Sequence, residues 1–529
     1  DFLNVAQSQS NVDSNHMPKE YTWKTYFRAT KDENGELLNI APLKDFKHEE
    51  IASLAQTVGK LPFSRAILDL IVNIIPLKEE TIQLKLLSLL EGCKGKTFEE
   101  VNYLANNIVL LLLINQSDFF INKNLSNLSL REFSFPQHPE FHLEDEFGHF
   151  AGTLFDNSDL QNADFGMMPY DETDQYKNTS FKNAKIKGLK FRSVQTDSFD
   201  INEKNENIVV GSHAELLLID KNSFNVVKRI PETAWGVRLS PDGELIVHSK
   251  WGQLSVRDSK NLETVVQHTL SKQINVDASE PDNLWTTDFV FSKHSNLLYI
   301  SCNNSFIYVY DILQKKEIKV LQCFYGSDNI TLSPSEKFLV SSDFNEFILW
   351  DLVENKKVIY EKQESSELDR YNALFHPSKD VFVLTDNKKV RVFEINSGSF
   401  IKEIHFEEAN LISFSKDGEI LCVASNKQVK IIDFNNFEVI NLLELDEFIP
   451  KEDTDLDFQQ FEAIRLDNNG CLLYFITNSY LIAVDLLKKE VINSYYHFGD
   501  FEGSNFINAS GIDLETKEYL HKNGARFKE

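Results

Sequence analysis

Apolar residues follow three successive patterns along this 529-residue chain. From 21 to 120 they recur at spacings of three and four, as in Ile67, Leu70 and Ile74. These spacings match one face of an α-helix and predict an all-helical domain. Residues 1 to 20 are polar and lack a period, so we interpret them as a linker or flexible entry.

Between 121 and 196 large apolar residues recur every five positions, with small residues two places before several of them. A period of five belongs to neither an α-helix nor a β-strand. Units such as Ala163-Asp164-Phe165 and Ala184-Lys185-Ile186 resemble the pentapeptide repeat. The resemblance implies a short right-handed β-helix stack, interrupted where the register breaks.

A longer repeat occupies residues 197 to 498, where each unit ends in apolar residues followed by an acid. The acids are Asp220, Asp258, Asp311, Asp351, Glu394, Asp433 and Asp485. Their separations of 38, 53, 40, 43, 39 and 52 residues indicate seven units, and seven four-stranded units predict a closed β-propeller in a mainly β chain. With Trp350-Asp351 as a literal Trp-Asp pair, the region resembles a seven-bladed WD-repeat propeller. The repeated acids are interpreted as turn residues.

Two of these separations are wide and predict insertions at about 269–283 and 445–459, the second strongly acidic. After the propeller the period of five returns at Phe501 and Phe506. We therefore expect 499–529 to return to the stack and end in a helix. The propeller would then be an insertion, rigidly coupled to the stack.

The repeat register also predicts which residues surround the entrance to the propeller's central channel. Counting five residues back from each blade's first turn gives Trp235, Thr287, Asp328, Tyr371, Asn410 and Glu462. In WD-repeat propellers this position faces the top rim. Such a rim suits a protein or peptide partner carrying basic residues, and the alternative is an ordinary ring of solvated loops.

Charge and composition exclude several functional classes. The 54 Lys and Arg against 81 Asp and Glu give a net charge of −27, which disfavours binding to nucleic acid and to anionic membrane surfaces. No apolar run approaches the roughly 20 residues of a membrane span. The five cysteines form no C-x-x-C pair, so a reducing, cytoplasmic location is expected.

Motifs that could carry chemistry have simpler interpretations, so no cofactor, metal site or enzymatic activity is predicted. Gly95-Lys96-Thr97 ends like a phosphate-binding loop, but Leu90 stands where the first glycine belongs, and the preceding segment has a helical pattern. The three histidines that fall closest together lack metal-site spacing and indicate an acidic loop: His138, His142 and His149.

The stretches from Leu86 to Gly92 and from Asn124 to Leu130 are similar to the segment after the NTPase core of bacterial STAND-type proteins of the NACHT or NB-ARC kind. This resemblance implies a sensor region of a longer protein. It would bind a protein or peptide trigger and control oligomerisation of an upstream NTPase in antiviral defence. The alternative is a free-standing WD-repeat scaffold that assembles partner proteins.

Overall fold

The computed structural model describes residues 50–528 apart from 76, 115, 136–148, 166–174, 192–195, 203, 205, 213, 251, 272–283, 324–328, 343–345, 363–370, 387, 408, 450–460 and 498. The chain divides into two compact units. The stack unit combines Asp1–Arg192 with Phe498–Glu529, and the propeller unit is Ser193–His497. Most of both predicted insertions lies outside the described residues.

A short helical region opens the described part of the stack unit. Its helices are Ile51–Ala55 (α1), Arg65–Ile74 (α2), Glu80–Cys93 (α3), Phe98–Val101 (α4) and Leu104–Leu113 (α5). Helix α5 is buried along its whole length and forms the core of this region. Gly95, just after α3, has a left-handed φ of 74°, which agrees with the interpretation of Gly95-Lys96-Thr97 as a helix end followed by a loop.

Asn107 explains how α5 holds a polar side chain in an apolar core. Its side chain amide donates to the carbonyl oxygens of Val58 at 2.8 Å and Leu61 at 2.9 Å. Its carbonyl oxygen accepts the backbone N–H of Phe63 at 2.9 Å. The side chain therefore fixes the loop between α1 and α2, at no cost in unpaired polar atoms.

Coils joined by parallel β-bridges follow the helices in the stack unit. One column of bridges runs from Asn124 to Leu154, Ser180 and Asn505, so residues after the propeller pair with coils before it. Buried rings stack along the same direction, with 5.5 Å between the centroids of Phe155 and Phe181 and 4.7 Å between those of Phe181 and Phe506.

The C-terminal segment covers the last coil. Helix Leu514–Lys522 (α6) begins at Asp513, whose carboxylate accepts the N–H of Thr516 at 2.7 Å. Arg526 then forms a parallel bridge with Asn505, and the ring of Phe527 stacks on Phe506 with 5.2 Å between centroids. The apolar end of the stack is thereby shielded from water.

The propeller unit contains seven sheets among its described residues, each built from four consecutive antiparallel strands. Blades 1 to 3 are formed by Thr196–Asp200 (β1), Asn207–Ser212 (β2), Leu216–Asp220 (β3), Val226–Ile230 (β4), Val237–Leu239 (β5), Leu245–Lys250 (β6), Gln253–Asp258 (β7), Thr264–Thr269 (β8), Thr286–Phe291 (β9), Leu297–Cys302 (β10), Phe306–Asp311 (β11) and Lys316–Gln322 (β12).

Blades 4 to 7 continue the pattern with Asn329–Leu332 (β13), Phe338–Ser342 (β14), Glu346–Asp351 (β15), Lys356–Lys362 (β16), Asn372–Phe375 (β17), Val381–Asp386 (β18), Lys389–Glu394 (β19), Phe400–His405 (β20), Leu411–Phe414 (β21), Ile420–Ala424 (β22), Gln428–Asp433 (β23), Glu438–Glu444 (β24), Ala463–Leu466 (β25), Leu472–Ile476 (β26), Tyr480–Asp485 (β27) and Glu490–Tyr496 (β28). The predicted seven-bladed propeller is confirmed.

Blades 1 and 7 close the ring by packing face to face. Phe199 and Ile208 of blade 1 share one buried cluster with Tyr474 and Tyr495 of blade 7. A closed ring leaves each blade with a neighbour on both faces, which a single four-stranded sheet needs in order to bury its apolar side chains.

The repeated acids end the third strand of every blade and hold the following turn. The Oδ1 of Asp351, for example, accepts the N–H groups of Val353 and Glu354 at 2.9 Å each. Glu394 accepts the N–H groups of Asn396 and Ser397 in the same way. Their interpretation as turn residues is therefore correct.

Candidate binding cavity of the propeller

A cavity of about 640 Å³ opens where the innermost strands of the seven blades converge. Five of the six residues predicted at the rim line it: Trp235, Thr287, Tyr371, Asn410 and Glu462. Asp328, the sixth, lies outside the described residues. The structure thus brings together five residues that are spread over more than two hundred positions of the sequence.

Three rim residues hold equivalent backbone positions just before an innermost strand. The N–H of Trp235 bonds to the carbonyl of Ser249 at 3.3 Å, and that of Asn410 bonds to Ala424 at 2.9 Å. Glu462 makes the matching bond to Ile476, also at 2.9 Å. The repeat register places these side chains at the same height, and all three are partly exposed.

Thr287 and Tyr371 differ from a simple rim loop. Thr287 lies inside β9, because that strand begins one residue earlier, and its hydroxyl contacts that of Ser301 at 2.8 Å. Tyr371 is only 2% exposed and packs into the apolar cluster of blades 4 and 5, with its ring centroid 6.1 Å from that of Phe347. Tyr371 therefore contributes to the core as well as to the cavity wall.

Beneath the rim, polar contacts join the innermost strands of all seven blades in a closed ring. In order, they run from Leu239 N to Asp200 Oδ2 (2.9 Å), Arg238 Nη2 to Asp288 Oδ1 (2.6 Å), Ile330 N to Asp288 Oδ2 (3.2 Å), Ala373 N to Asn329 Oδ1 (3.3 Å), Asn372 Nδ2 to Asn410 O (3.0 Å), Leu466 N to Ser413 Oγ (3.1 Å) and Arg465 Nε to Asp200 Oδ1 (3.0 Å). Each blade is thereby fastened to the next at the cavity wall.

Two ion pairs within this ring set the electrostatics of the cavity. Arg238 pairs with Asp288 across blades 2 and 3, and Arg465 pairs with Asp200 across blades 7 and 1. Burial lowers the pKa of the Arg465 guanidinium, and the charge of Arg238 lowers that pKa further. The two guanidinium groups therefore face the same space.

Sequence reasoning missed both arginines, although a signal was present. Arg238-Leu239 and Arg465-Leu466 stand at the same distance from the rim positions Trp235 and Glu462, inside otherwise apolar strands. A charged residue repeated at one register position of a buried strand indicates a paired or functional group.

The cavity offers recognition groups rather than a reaction centre. It presents aromatic surface, guanidinium donors and amide groups, which bind by contact and hydrogen bonding. Across the described part of the chain, no three His, Cys, Asp or Glu residues cluster closely enough to hold a metal ion. Of the three histidines noted above, only His149 is described, and it is buried. Among the described helices, none has the length and apolar character needed to cross a membrane.

Comparisons with known proteins agree with the blade pattern. No family model matches the chain. It is 36% identical over 113 residues, 21% of its length, to an uncharacterized WD repeat-containing protein of Nostoc sp. (strain PCC 7120), and this match spans 7% of that relative. Hydrazine synthase of Kuenenia stuttgartiensis has a chain that aligns over 97% of its own length and 58% of this one, at 12% identity and a TM-score of 0.45. This chain contains a WD-repeat propeller region, an architecture suited to protein interaction.

Proposed function

We propose that this chain is a non-catalytic recognition module that binds a protein or peptide trigger at the central cavity of its propeller. The observation that carries the proposal is the set of partly exposed rim residues Trp235, Asn410 and Glu462 around one cavity. An aromatic anchor beside polar groups in a concave site is typical of interaction hot spots. The activity requires no cofactor, and the site of action is cytoplasmic.

The stacked coils support a second part of the proposal, a pentapeptide-type β-helix beside the propeller. Hydroxyl side chains one coil apart make the same bond, from Thr153 to the carbonyl of Phe120 at 2.6 Å and from Thr179 to that of Phe150 at 2.7 Å. Helical region, stack and propeller in this order match the C-terminal half that the STAND resemblance implies. The module then senses a trigger and controls oligomerisation of an upstream NTPase in bacterial antiviral defence.

A scaffold that assembles several partners without any NTPase is the second candidate, favoured by the WD-repeat similarity alone. Reading the gene upstream of the codon for Asp1 separates the two. A strand followed by G-x-x-x-x-G-K-[ST] supports the sensor, and an initiator Met close to Asp1 supports the scaffold.

The chain used as bait in phage-challenged cells tests the binding function. Trp235→Ala should abolish co-purification of a stoichiometric protein trigger without lowering the melting temperature. Trp285→Ala is the matched control, because Trp285 is 41% exposed and lies outside the described lining of the cavity. Equal loss in both variants, or in neither, contradicts binding at the cavity.

A further inference from the structure

The two cavity arginines are held in the same way, one on each side of β1. Arg238 lies on β5 and Arg465 on β25, and both strands pack against β1. Each guanidinium donates one Nη1–H to the carbonyl of the residue before it, Val237 or Ile464, at 2.9 Å. The Arg465 guanidinium also lies 5.9 Å from the ring centroid of Phe199. Both groups are therefore positioned before any ligand arrives.

The partner carboxylates are more shielded than the guanidinium groups they hold. Asp288 also accepts the N–H groups of Phe289 at 2.8 Å and Ile330 at 3.2 Å, and its side chain is 7% exposed. The Asp200 side chain is 13% exposed, whereas those of Arg238 and Arg465 are each 26% exposed. A molecule entering the cavity thus meets guanidinium rather than carboxylate.

Each guanidinium retains donors for such a molecule. A guanidinium has five N–H groups, and the bonds of Arg465 use Nε and Nη1, while those of Arg238 use Nη1 and Nη2. Within the described residues the Nη2 of Arg465 and the Nε of Arg238 have no acceptor, and neither is closed off from the cavity.

The rest of the lining limits the size of the anion. Asp197 and Glu462 also line the cavity and repel a polyanion, as does the net charge of −27. A single carboxylate can meet the arginines without approaching both acids. This is opposite in sign to the basic partner expected from the rim acids, one of which, Asp328, lies outside the described residues.

We infer that Arg238 and Arg465 form a carboxylate-binding subsite, which takes an acidic side chain or the C-terminal carboxylate of the polypeptide bound in the cavity. The inference rests on the proposed function and specifies the chemistry of its ligand. Guanidinium groups recognise carboxylates through paired, charge-assisted hydrogen bonds.

Random peptides displayed on phage and selected on the full chain provide the probe. Each selected peptide is resynthesised with Asp and Glu replaced by Asn and Gln, and separately with an amidated C-terminus. At least one of these changes should weaken binding to the unmodified chain by about tenfold or more, since a charge-assisted hydrogen bond is lost. The same peptides should bind Arg465→Gln weakly and lose their preference for the carboxylate form. Arg526→Gln, an exposed arginine outside the propeller unit, is the control.

The outcomes separate the two proposals. Selected peptides that are basic, or that bind equally well as amide isosteres, overturn the carboxylate subsite. If those same peptides are still lost with Trp235→Ala, binding in the cavity stands. Peptides unaffected by Trp235→Ala, or failure to select any peptide, overturn both. The isostere comparison uses the unmodified chain, so it decides the question even if Arg465→Gln fails to fold.

Discussion

At the scale of single residues, asparagine and glycine set the backbone of the stacked coils. Asn157, Asn183 and Asn508 have left-handed φ values of 58°, 58° and 57°. Their amides form a ladder, with Asn183 donating to Asn157 at 3.1 Å and accepting from Asn508 at 3.2 Å. Asparagine tolerates this conformation better than other residues with a Cβ, which explains its recurrence at equivalent coil positions.

Replacement of Asn183 separates backbone strain from the loss of the ladder. Asn183→Ala and Asn183→Gly both remove the amide, but only alanine strains the left-handed backbone. We expect the alanine variant to be less stable than the glycine variant by about 1 kcal/mol, which corresponds to roughly fivefold faster amide exchange in 176–191. Hydrogen–deuterium exchange measures the difference, and equal exchange in the two variants would contradict the strain argument.

Glu232 makes the propeller sensitive to acid. Hydrogen bonding to His248 at 3.0 Å, with Arg257 at 2.5 Å, lowers the pKa of Glu232 from 4.5 to about 2. A lowered pKa in the folded state means that the ionised carboxylate stabilises the fold above pH 4.5 and that this stabilisation is lost as the pH falls towards 2.

Glu232→Gln should therefore flatten the fall in stability over this range of pH. Melting temperatures measured between pH 4.5 and the acid limit of folding provide the test. Glu263→Gln, which removes an exposed carboxylate from blade 2, is the control and should retain the slope of the unmodified chain. The same slope in all three proteins would show that the pairing of Glu232 does not stabilise the fold.

At the scale of elements, the stack is stabilised by the column of rings inside its coils. Phe181 is fully buried between Phe155 and Phe506. Phe181→Ala should destabilise the stack unit by about 3–5 kcal/mol through lost burial and the cavity left behind. Phe400→Ala is the control, because Phe400 is 55% exposed on the outermost strand of blade 5. Calorimetry that finds similar effects for the two variants would contradict this role of the ring column.

Elements were predicted well where one residue type recurs for a local reason. The acids ending the third strands could be found by spacing, because each one holds its own turn. The burial of Tyr371 could not be predicted, because it depends on Phe347 of the neighbouring blade. The start of β9 was misplaced by similar means, since strand ends depend on pairing between strands rather than on sequence register.

At the scale of the whole propeller, a buried charge cluster reinforces the closure between blades 1 and 7. Glu215, which is 1% exposed, binds Arg229 through both carboxylate oxygens at 3.0 Å and contacts His497 at 2.6 Å. Although burial opposes ionisation, the charge of Arg229 and the bond to His497 leave the pKa of Glu215 below its ordinary value. The cluster links the start of β3 to the residue after β28.

Glu215→Gln should cost about 3–5 kcal/mol, because it leaves Arg229 buried without a carboxylate. Glu244→Gln is the matched control and should cost less than about 1 kcal/mol, since its pair with Lys260 is exposed. Thermal unfolding of both variants measures the contrast. Similar small losses would show that closure depends on apolar packing alone.

The cavity could be predicted only in part from the sequence. Rim residues follow from counting along the repeat, and five of the six line the cavity. The arginine pair beneath them arises from two strands more than two hundred residues apart, which meet because the ring closes at β1. No local pattern specifies that meeting, so the sign of the ligand charge was expected from the rim acids instead.

Photo-crosslinking from the rim tests the central claim most directly. A photoreactive amino acid replaces Trp235 in one variant and the exposed Trp285 in another, and each is expressed in phage-challenged cells. Binding in the cavity predicts one protein crosslinked efficiently from position 235 and weakly from position 285. Crosslinking from position 285 alone, or from neither position while partners still co-purify, would contradict it.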